Sequence, residues 1–158
     1  MSPGSMSPLE VKVRFLLGLL DRDALSAWIN EQLPDDGSIP DPVLELTTLR
    51  DKDDLTIVGL LSQLVLAGPA DEARMEFGLL SQMYRGGDIQ LGQAVRRLYL
   101  LLHEVGLDAF TGDEVDAIYS LDDGYDLAVI GTYGTTEHVE AEFIRFVGRY
   151  EDQLSSRS

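Results

Sequence analysis

Eleven carboxylates fall between Leu98 and Glu142, namely Glu104, Asp108, Asp113, Glu114, Asp116, Asp122, Asp123, Asp126, Glu137, Glu140 and Glu142, and no lysine or arginine stands between Arg97 and Arg145. Acids at that density, without internal counter-charge, repel one another across a folded surface, and a cationic partner would relieve the repulsion. The same run also reads as a solvated acidic face that needs no partner. Tyr119, Tyr125 and Tyr133 are interleaved with the acids. Tyrosine buries a large area at small entropic cost, and carboxylates steer a basic protein toward a surface. Asp113, Glu114, Asp116, Tyr119, Asp122, Asp123, Tyr125 and Asp126 therefore form the candidate partner-binding set. Tyr119 has a second reading as a core residue, because it follows Ile118 at the edge of an apolar stripe.

Catalytic and metal chemistry find less support. Histidine occurs only at His103 and His138. His103 adjoins Glu104, and His138 sits in Glu137-His138-Val139-Glu140-Ala141-Glu142. Neither spacing matches the paired histidines of helical zinc hydrolase sites or the Glu-x-x-His pair of carboxylate-bridged di-iron bundles. Asp122-Asp123-Gly124-Tyr125-Asp126 lacks the alternating acids, later glycine and terminal glutamate of an EF-hand calcium loop. No GxxxxGK[ST] or GxGxxG element occurs, and Gly131-Thr132-Tyr133-Gly134 reads as a turn rather than a phosphate cradle. With no cysteine there is no disulfide, thiolate zinc site or cysteine nucleophile. The expectation is a non-catalytic protein with no metal and no cofactor; an enzyme would need a pocket holding a strongly perturbed carboxylate.

The 28 Asp and Glu against 12 Lys and Arg give a formal charge of −16. That balance disfavours phosphate backbones and anionic membranes, so neither a nucleic acid nor a membrane is an expected partner. The longest nearly apolar run, Ile57 to Ala67, falls well short of the roughly 20 residues that span a bilayer. Met1-Ser2-Pro3-Gly4-Ser5-Met6 has no basic region followed by an apolar one, and the second methionine after Gly4-Ser5 marks residues 1–5 as an expression scar. The missing cysteines fit a reducing compartment, and the expected location is cytoplasmic. A chain of 158 residues, 44% of them hydrophobic, is long enough for one core, so residues 6–154 read as a single helical domain and 155–158 as a frayed tail.

The elements that must position these residues are helical. Leu9, Val13, Leu16, Leu17 and Leu20 recur at three- and four-residue steps after Pro8, and Asp21 caps a second helix carrying Leu25, Trp28, Ile29 and Leu33, with Trp28 as a core anchor. Pro34-Asp35-Asp36-Gly37-Ser38-Ile39-Pro40 reads as the main loop of the first half. Asp41 as N-cap and Pro42 at the first helical position open a third helix with Val43, Leu46 and Leu49. Leu55 to Leu66 is apolar on nearly every side, which predicts a helix in the middle of a bundle. Gly68-Pro69 starts the next, with Ala73, Phe77, Leu80 and Tyr84 inward and Gly86-Gly87 at its end. Asp88 is the expected cap of a helix bearing Leu91, Val95, Leu98, Leu102 and Val105, which Gly106 terminates. Thr111-Gly112-Asp113-Glu114 fits a capping box, and Asp122-Asp123-Gly124 is expected to break the helix that follows. Thr135 or Thr136 opens a last helix with Val139, Phe143, Phe146, Val147 and Tyr150. No stretch alternates with a period of two. The fold class is therefore all-α, a compact bundle of about seven or eight short helices joined mostly as antiparallel hairpins. Leu60-Leu61-Ser62-Gln63 returns as Leu79-Leu80-Ser81-Gln82, a match too short to define a repeat unit.

Leu25, Trp28 and Leu33, then Ile39-Pro40-Asp41-Pro42-Val43 and Leu49, followed by an acidic C-terminal half, resemble the pattern of small bacterial immunity-type proteins of toxin and immunity systems. The resemblance covers mainly residues 20–55 and implies a strongly acidic helical domain that blocks a secreted, often basic nuclease toxin. It carries no binding residues over to this chain. Two functional readings follow. One is an inhibitor that covers a basic toxin surface with Asp113 to Asp126 and the neighbouring tyrosines, its association slowed by salt. The other is a helical adaptor that binds through an apolar groove and is nearly indifferent to salt.

Overall fold

A computed structural model describes residues 6–33, 37–131 and 134–155. The chain divides into two compact units, residues 1–67 and 68–158. Among the described residues every regular element is a helix, so the fold is all-α as the spacing of apolar residues predicts.

The first unit holds α1 (Pro8–Leu16), α2 (Arg22–Glu31), α3 (Asp41–Leu46), a 3-10 turn (Leu49–Asp51) and α4 (Asp54–Leu64). Its helix starts are written in short polar side chains: Ser7, Asp21 and Asp53 accept from the backbone N–H of Glu10, Ala24 and Thr56. The third helix begins one residue earlier than its sequence implies, with Pro40 as N-cap and Asp41 already helical. Helices α1 and α3 both pack on α4. Trp28 is 1% exposed among Leu25, Ile29, Leu46, Ile57 and Leu61, and its indole N–H donates to the Met6 carbonyl at 3.0 Å. Burying an indole with its N–H satisfied avoids the cost of an orphaned donor. Arg22 ties the 3-10 turn to α2, donating to the carbonyls of Leu49 at 2.9 Å and Lys52 at 3.0 Å and to Asp54 Oδ1 at 2.6 Å.

The expectation that residues 55–66 run through the middle of a bundle is corrected. Only Ile57, Leu60 and Leu61 of α4 are buried, while Leu55 is 82% and Leu66 90% exposed. A uniformly apolar sequence does not say how many neighbours a helix has; with α1 and α3 against one side, the other side stays open. Helix α1 also ends sooner than its leucines suggest, at Leu16, because the chain turns at Gly18 with a φ of 75°. Of the loop predicted over Pro34 to Pro40, residues 34–36 lie outside the described residues.

The second unit holds α5 (Pro69–Arg85), α6 (Leu91–Val105), a 3-10 turn (Leu107–Ala109), α7 (Gly112–Val129), α8 (Thr136–Gly148) and a short α9 (Glu151–Ser155). Contacts run α5 to α6, α6 to α7, α7 to α8 and α8 back to α5, a closed ring of four helices with α9 laid on α5. Phe77 of α5 lies inside that ring with ring centroids of Phe110, Phe146 and Tyr150 at 6.0, 5.7 and 5.1 Å. Arg97 of α6 is buried and grips Glu76 of α5 with two guanidinium nitrogens, while a third reaches Glu104 at 2.9 Å. A buried charge of this kind is tolerable only when fully paired, and here it fixes α6 against α5.

Two expectations for this unit are corrected. Asp88 does not cap α6: its N–H still closes the end of α5 on the Met83 carbonyl at 2.9 Å, and Gln90 takes the cap, its N–H donating to Gln93 Oε1 at 2.9 Å. Helix α7 runs unbroken through Asp122-Asp123-Gly124. Glycine and aspartate weaken a helix interior by about 0.5–1 kcal/mol each, and burial of Ile118 and Leu121 on the inner face outweighs that. The segment α9, separated from α8 at Arg149 and Tyr150, has no counterpart in the expected elements.

Helix α9 approaches α5 at Gly78, where a β-carbon would stand 2.5 Å from the Tyr150 carbonyl oxygen and 2.8 Å from its carbon. Those are backbone atoms with no easy displacement. Gly59 of α4 is helical too, but a β-carbon there meets nothing within 4 Å. Gly59→Ala should therefore stabilise the protein by about 0.5–1 kcal/mol through helix propensity, whereas Gly78→Ala should destabilise it by about 1–3 kcal/mol despite the same propensity gain. Urea midpoints of the two variants check the opposite signs.

Candidate functional site

Helix α7 carries the whole candidate set, and its first turn is the most tightly fixed point in the unit. Thr111 Oγ1 accepts from the Glu114 N–H at 3.1 Å, and Glu114 Oε1 accepts from the Thr111 N–H at 2.8 Å. This is the capping box its sequence predicts. The same carboxylate accepts two bonds from Arg74 of α5, at 2.8 and 2.9 Å, and one from the Tyr150 hydroxyl at 2.7 Å. Glu114 is 5% exposed. The Arg74 bonds hold its carboxyl down at about 2 against the opposing pull of burial, with the Thr111 N–H and the Tyr150 hydroxyl adding to the effect. Burial and the charge of Glu114 in turn push the Tyr150 hydroxyl up.

With Glu114, Ile118 and Leu121 turned inward, three- and four-residue steps place Asp116, Tyr119, Asp123 and Asp126 along the opposite flank. The three aspartates are exposed and Tyr119 is half-buried. Asp122 sits at the edge of that flank nearest α6, where burial, Asp126 and Asp123 push its carboxyl up and Arg96 pulls it partly back. Burial is the larger part of that push, and the neighbouring acids add to it. Asp113 lies exposed in the first turn, three residues before Asp116 and so beside it on the helix surface.

Helix α6 supplies the floor beside this flank. The Tyr99 ring lies edge-on to Tyr119 at 5.8 Å and tilted on His103 at 4.6 Å, and the Arg96 guanidinium stands 5.0 Å over Tyr99. His103 Nε2 is 3.5 Å from the Tyr119 hydroxyl. Farther along, the Tyr125 ring crosses Gly92 so closely that a β-carbon there would be 2.5 Å from the phenolic oxygen. Tyr125 thus separates two concavities. One, about 330 Å³, is lined by Val95, Arg96, Asp122 and Asp126. The other, about 440 Å³, is lined by Tyr84, Gln90, Thr136, Glu137 and Glu140. Tyr84 donates to Glu140, and that bond holds its own hydroxyl up at about 12. Carboxylates and aromatic rings around open hollows suit the guanidinium and ammonium groups of a basic surface.

No protein-family model, curated protein or solved structure matches this chain. The geometry alone therefore carries the functional argument. Of the candidate set, the fold brings Asp116, Tyr119, Asp122, Asp123, Tyr125 and Asp126 along one stretch of α7 with Asp113 at its first turn, and commits Glu114 to the interior. Tyr119 is half-buried, its ring edge-on to Tyr99, and so is not the core residue of its second reading. Tyr133 lies outside the described residues. Arg96 and Tyr99 join the site without having been singled out from sequence, and His103, Tyr84 and Glu140 join it although they were not read as part of the partner-binding set. The spacing of Arg96, Tyr99 and His103 on the flank of the α6 stripe was the available signal. His138 stands apart, bonded to Glu142 at 3.1 Å. Among the described residues no group of three or more His, Asp or Glu is placed to hold a metal ion, and no helix is long and apolar enough to cross a membrane.

Because Glu114 titrates lower in the folded chain than in an unfolded one, where a glutamate sits near about 4.3, its stabilisation is complete above that value and is lost as pH falls through about 2. Glu114→Gln should cost about 1.5–3 kcal/mol at neutral pH by removing charge-assisted bonds to Arg74. The variant should also lose the part of the acid-induced destabilisation that falls between those two pH values. Urea titrations of both proteins across that range measure the difference directly.

Proposed function

We propose that the chain is a non-catalytic protein-binding protein whose acidic, tyrosine-bearing α7 flank recognises a basic protein. The observation that carries this reading is the convergence of Asp116, Asp122, Asp123 and Asp126 beside Tyr119 on one side of a helix whose opposite side is pinned to the core. Convergent like charge costs stability in isolation and is repaid when a complementary surface covers it. In its most specific form the reading is an immunity-type inhibitor that covers the surface of a basic toxin, such as a nuclease, whose substrate site must itself be positive. A protein of charge −16 would meet that surface fast at low ionic strength.

A helical adaptor is the second reading, and one feature favours it. In the first unit Phe15, Leu16, Leu55 and Val58 surround an open concavity of about 130 Å³, with Leu55 82% exposed. An apolar helix would seat there by burial rather than by charge.

Affinity capture with the wild type and with the triple variant Asp116→Lys, Asp123→Lys, Asp126→Lys separates the two. All three positions are exposed, so the variant should fold. The acidic-flank reading expects a basic protein held by the wild type at low salt, released at moderate salt and not held by the triple variant. If that protein is a toxin, its activity should fall in proportion to added wild type. Equal capture by both proteins, unaffected by salt, would contradict this reading and favour the apolar concavity.

A further inference from the structure

A second hollow in the same unit has the opposite character. Between α7 and α8 a concavity of about 420 Å³ is lined by Ser120, Leu121, Glu142, Arg145, Phe146 and Arg149. Cations are scarce in this chain, with 28 acids to 12 bases, and five of its ten arginines pair with carboxylates among the described residues. Arg14, Arg22, Arg74, Arg85 and Arg97 each pair with a carboxylate. Arg145 makes no hydrogen bond or ion pair among the described residues, and Arg149 meets no carboxylate. Instead the Arg149 guanidinium is held over the rings of Phe146 and Tyr150, at 5.2 and 5.8 Å, and its Nε donates to the Phe146 carbonyl at 3.4 Å. That geometry leaves both terminal nitrogens free and the plane of the group fixed.

Arg145 and Arg149 are one helical turn apart, where like charges repel. Glu142, three residues before Arg145, also lines the hollow, but its carboxylate lies 3.1 Å from His138 Nε2 and forms no ion pair with Arg145 or Arg149 among the described residues. Two arginines one turn apart, facing a single carboxylate turned to His138, leave room for an external anion. Leu121 and Phe146 give the hollow an apolar wall, and Ser120 offers a hydroxyl donor.

We propose that this hollow binds a small organic oxyanion, a carboxylate or phosphate group on an apolar body. The guanidinium groups of Arg145 and Arg149 take the oxygens, Ser120 adds a hydrogen bond, and the body lies against Leu121 and Phe146. Arginine suits this task because its planar fork matches the two oxygens of the group. Within a Debye length of roughly 8 Å at physiological salt the two arginines outnumber the one lining carboxylate, Glu142, so the local charge favours an anion although the chain as a whole is acidic.

The test is a nuclear magnetic resonance titration of the full chain at constant ionic strength with four probes: benzoate, phenyl phosphate, benzamide and inorganic phosphate. Saturable shifts at Ser120, Arg145 and Phe146 are expected with benzoate or phenyl phosphate, and whichever binds tighter identifies the anionic group. Benzamide, which keeps the ring without the charge, and inorganic phosphate, which keeps the charge without the ring, should each bind about tenfold more weakly or less. Arg145→Gln removes a side chain with no hydrogen bond or ion pair among the described residues and should weaken the best probe by about tenfold, with Arg149→Gln adding to the loss. Shifts that do not saturate, benzamide binding as well as benzoate, inorganic phosphate binding as well as phenyl phosphate, or an unchanged affinity in Arg145→Gln would each overturn the assignment. The Arg145 variant keeps the test decisive if loss of the Arg149 stacking impairs folding.

Discussion

The bonds on the Glu114 carboxylate are the constraint from which the second unit follows. One side chain closes the first turn of α7, accepts both arms of Arg74 from α5 and receives the hydroxyl of Tyr150, the residue that leads into α9. Three elements are thereby tied at a single buried charge. A carboxylate removed from water is stable only when its lone pairs are filled, so the position and rotation of α7 are specified there more strictly than apolar packing alone would specify them. Arg97 with Glu76 and Glu104 does the same between α5 and α6. These two networks are the polar counterpart of the Phe77 cluster beside them.

The rotation of α7 set at Glu114 decides what faces outward. With that residue inward, the three- and four-residue steps send Asp116, Tyr119, Asp123 and Asp126 to the opposite flank, and at its edge burial first, then Asp126 and Asp123, push the Asp122 carboxyl up. A rotation of about 100°, one residue's worth of helix, would scatter those acids among its neighbours. The acidic surface is thus a consequence of a buried ionic anchor and of sequence spacing together. The aromatic shelf of Tyr99 and His103 gives that surface an apolar component on which a basic side chain with a long stem could lie.

Local rules were legible in the sequence and relative placement was not. Asp21, Gly68-Pro69 and the Thr111 to Glu114 box announce their helix starts because a cap is a contact across three residues. The all-α class follows from apolar periodicity for the same reason. Misreadings arose where the outcome depends on distant partners. Leu55, in the first turn of α4, and Leu66, past its end, look like core residues but are exposed, and Gly124 looks like a breaker but sits within a helix whose neighbours hold it. Glu114 was legible as a cap residue and hidden as an ion-pair partner, since Arg74 stands 40 positions away. Within the candidate site the aspartates on α7 could be grouped from spacing, whereas Arg96, Tyr99 and the Gly92 to Tyr125 crossing required the packing of α6 on α7.

The central proposal is that the acids on the outer flank of α7, beside Tyr119, recognise a basic partner in a way that the exposed acids elsewhere do not, and residue-resolved mapping with a short all-arginine peptide tests it most directly. The account predicts amide shifts concentrated at Asp116, Tyr119, Asp122, Asp123 and Asp126 and on the adjoining Tyr99 and His103, with little change at exposed acids elsewhere such as Asp23, Glu31 and Asp41. Shifts distributed evenly over those outlying acids and the α7 flank would contradict it and leave the acidic stretch as a solvated surface.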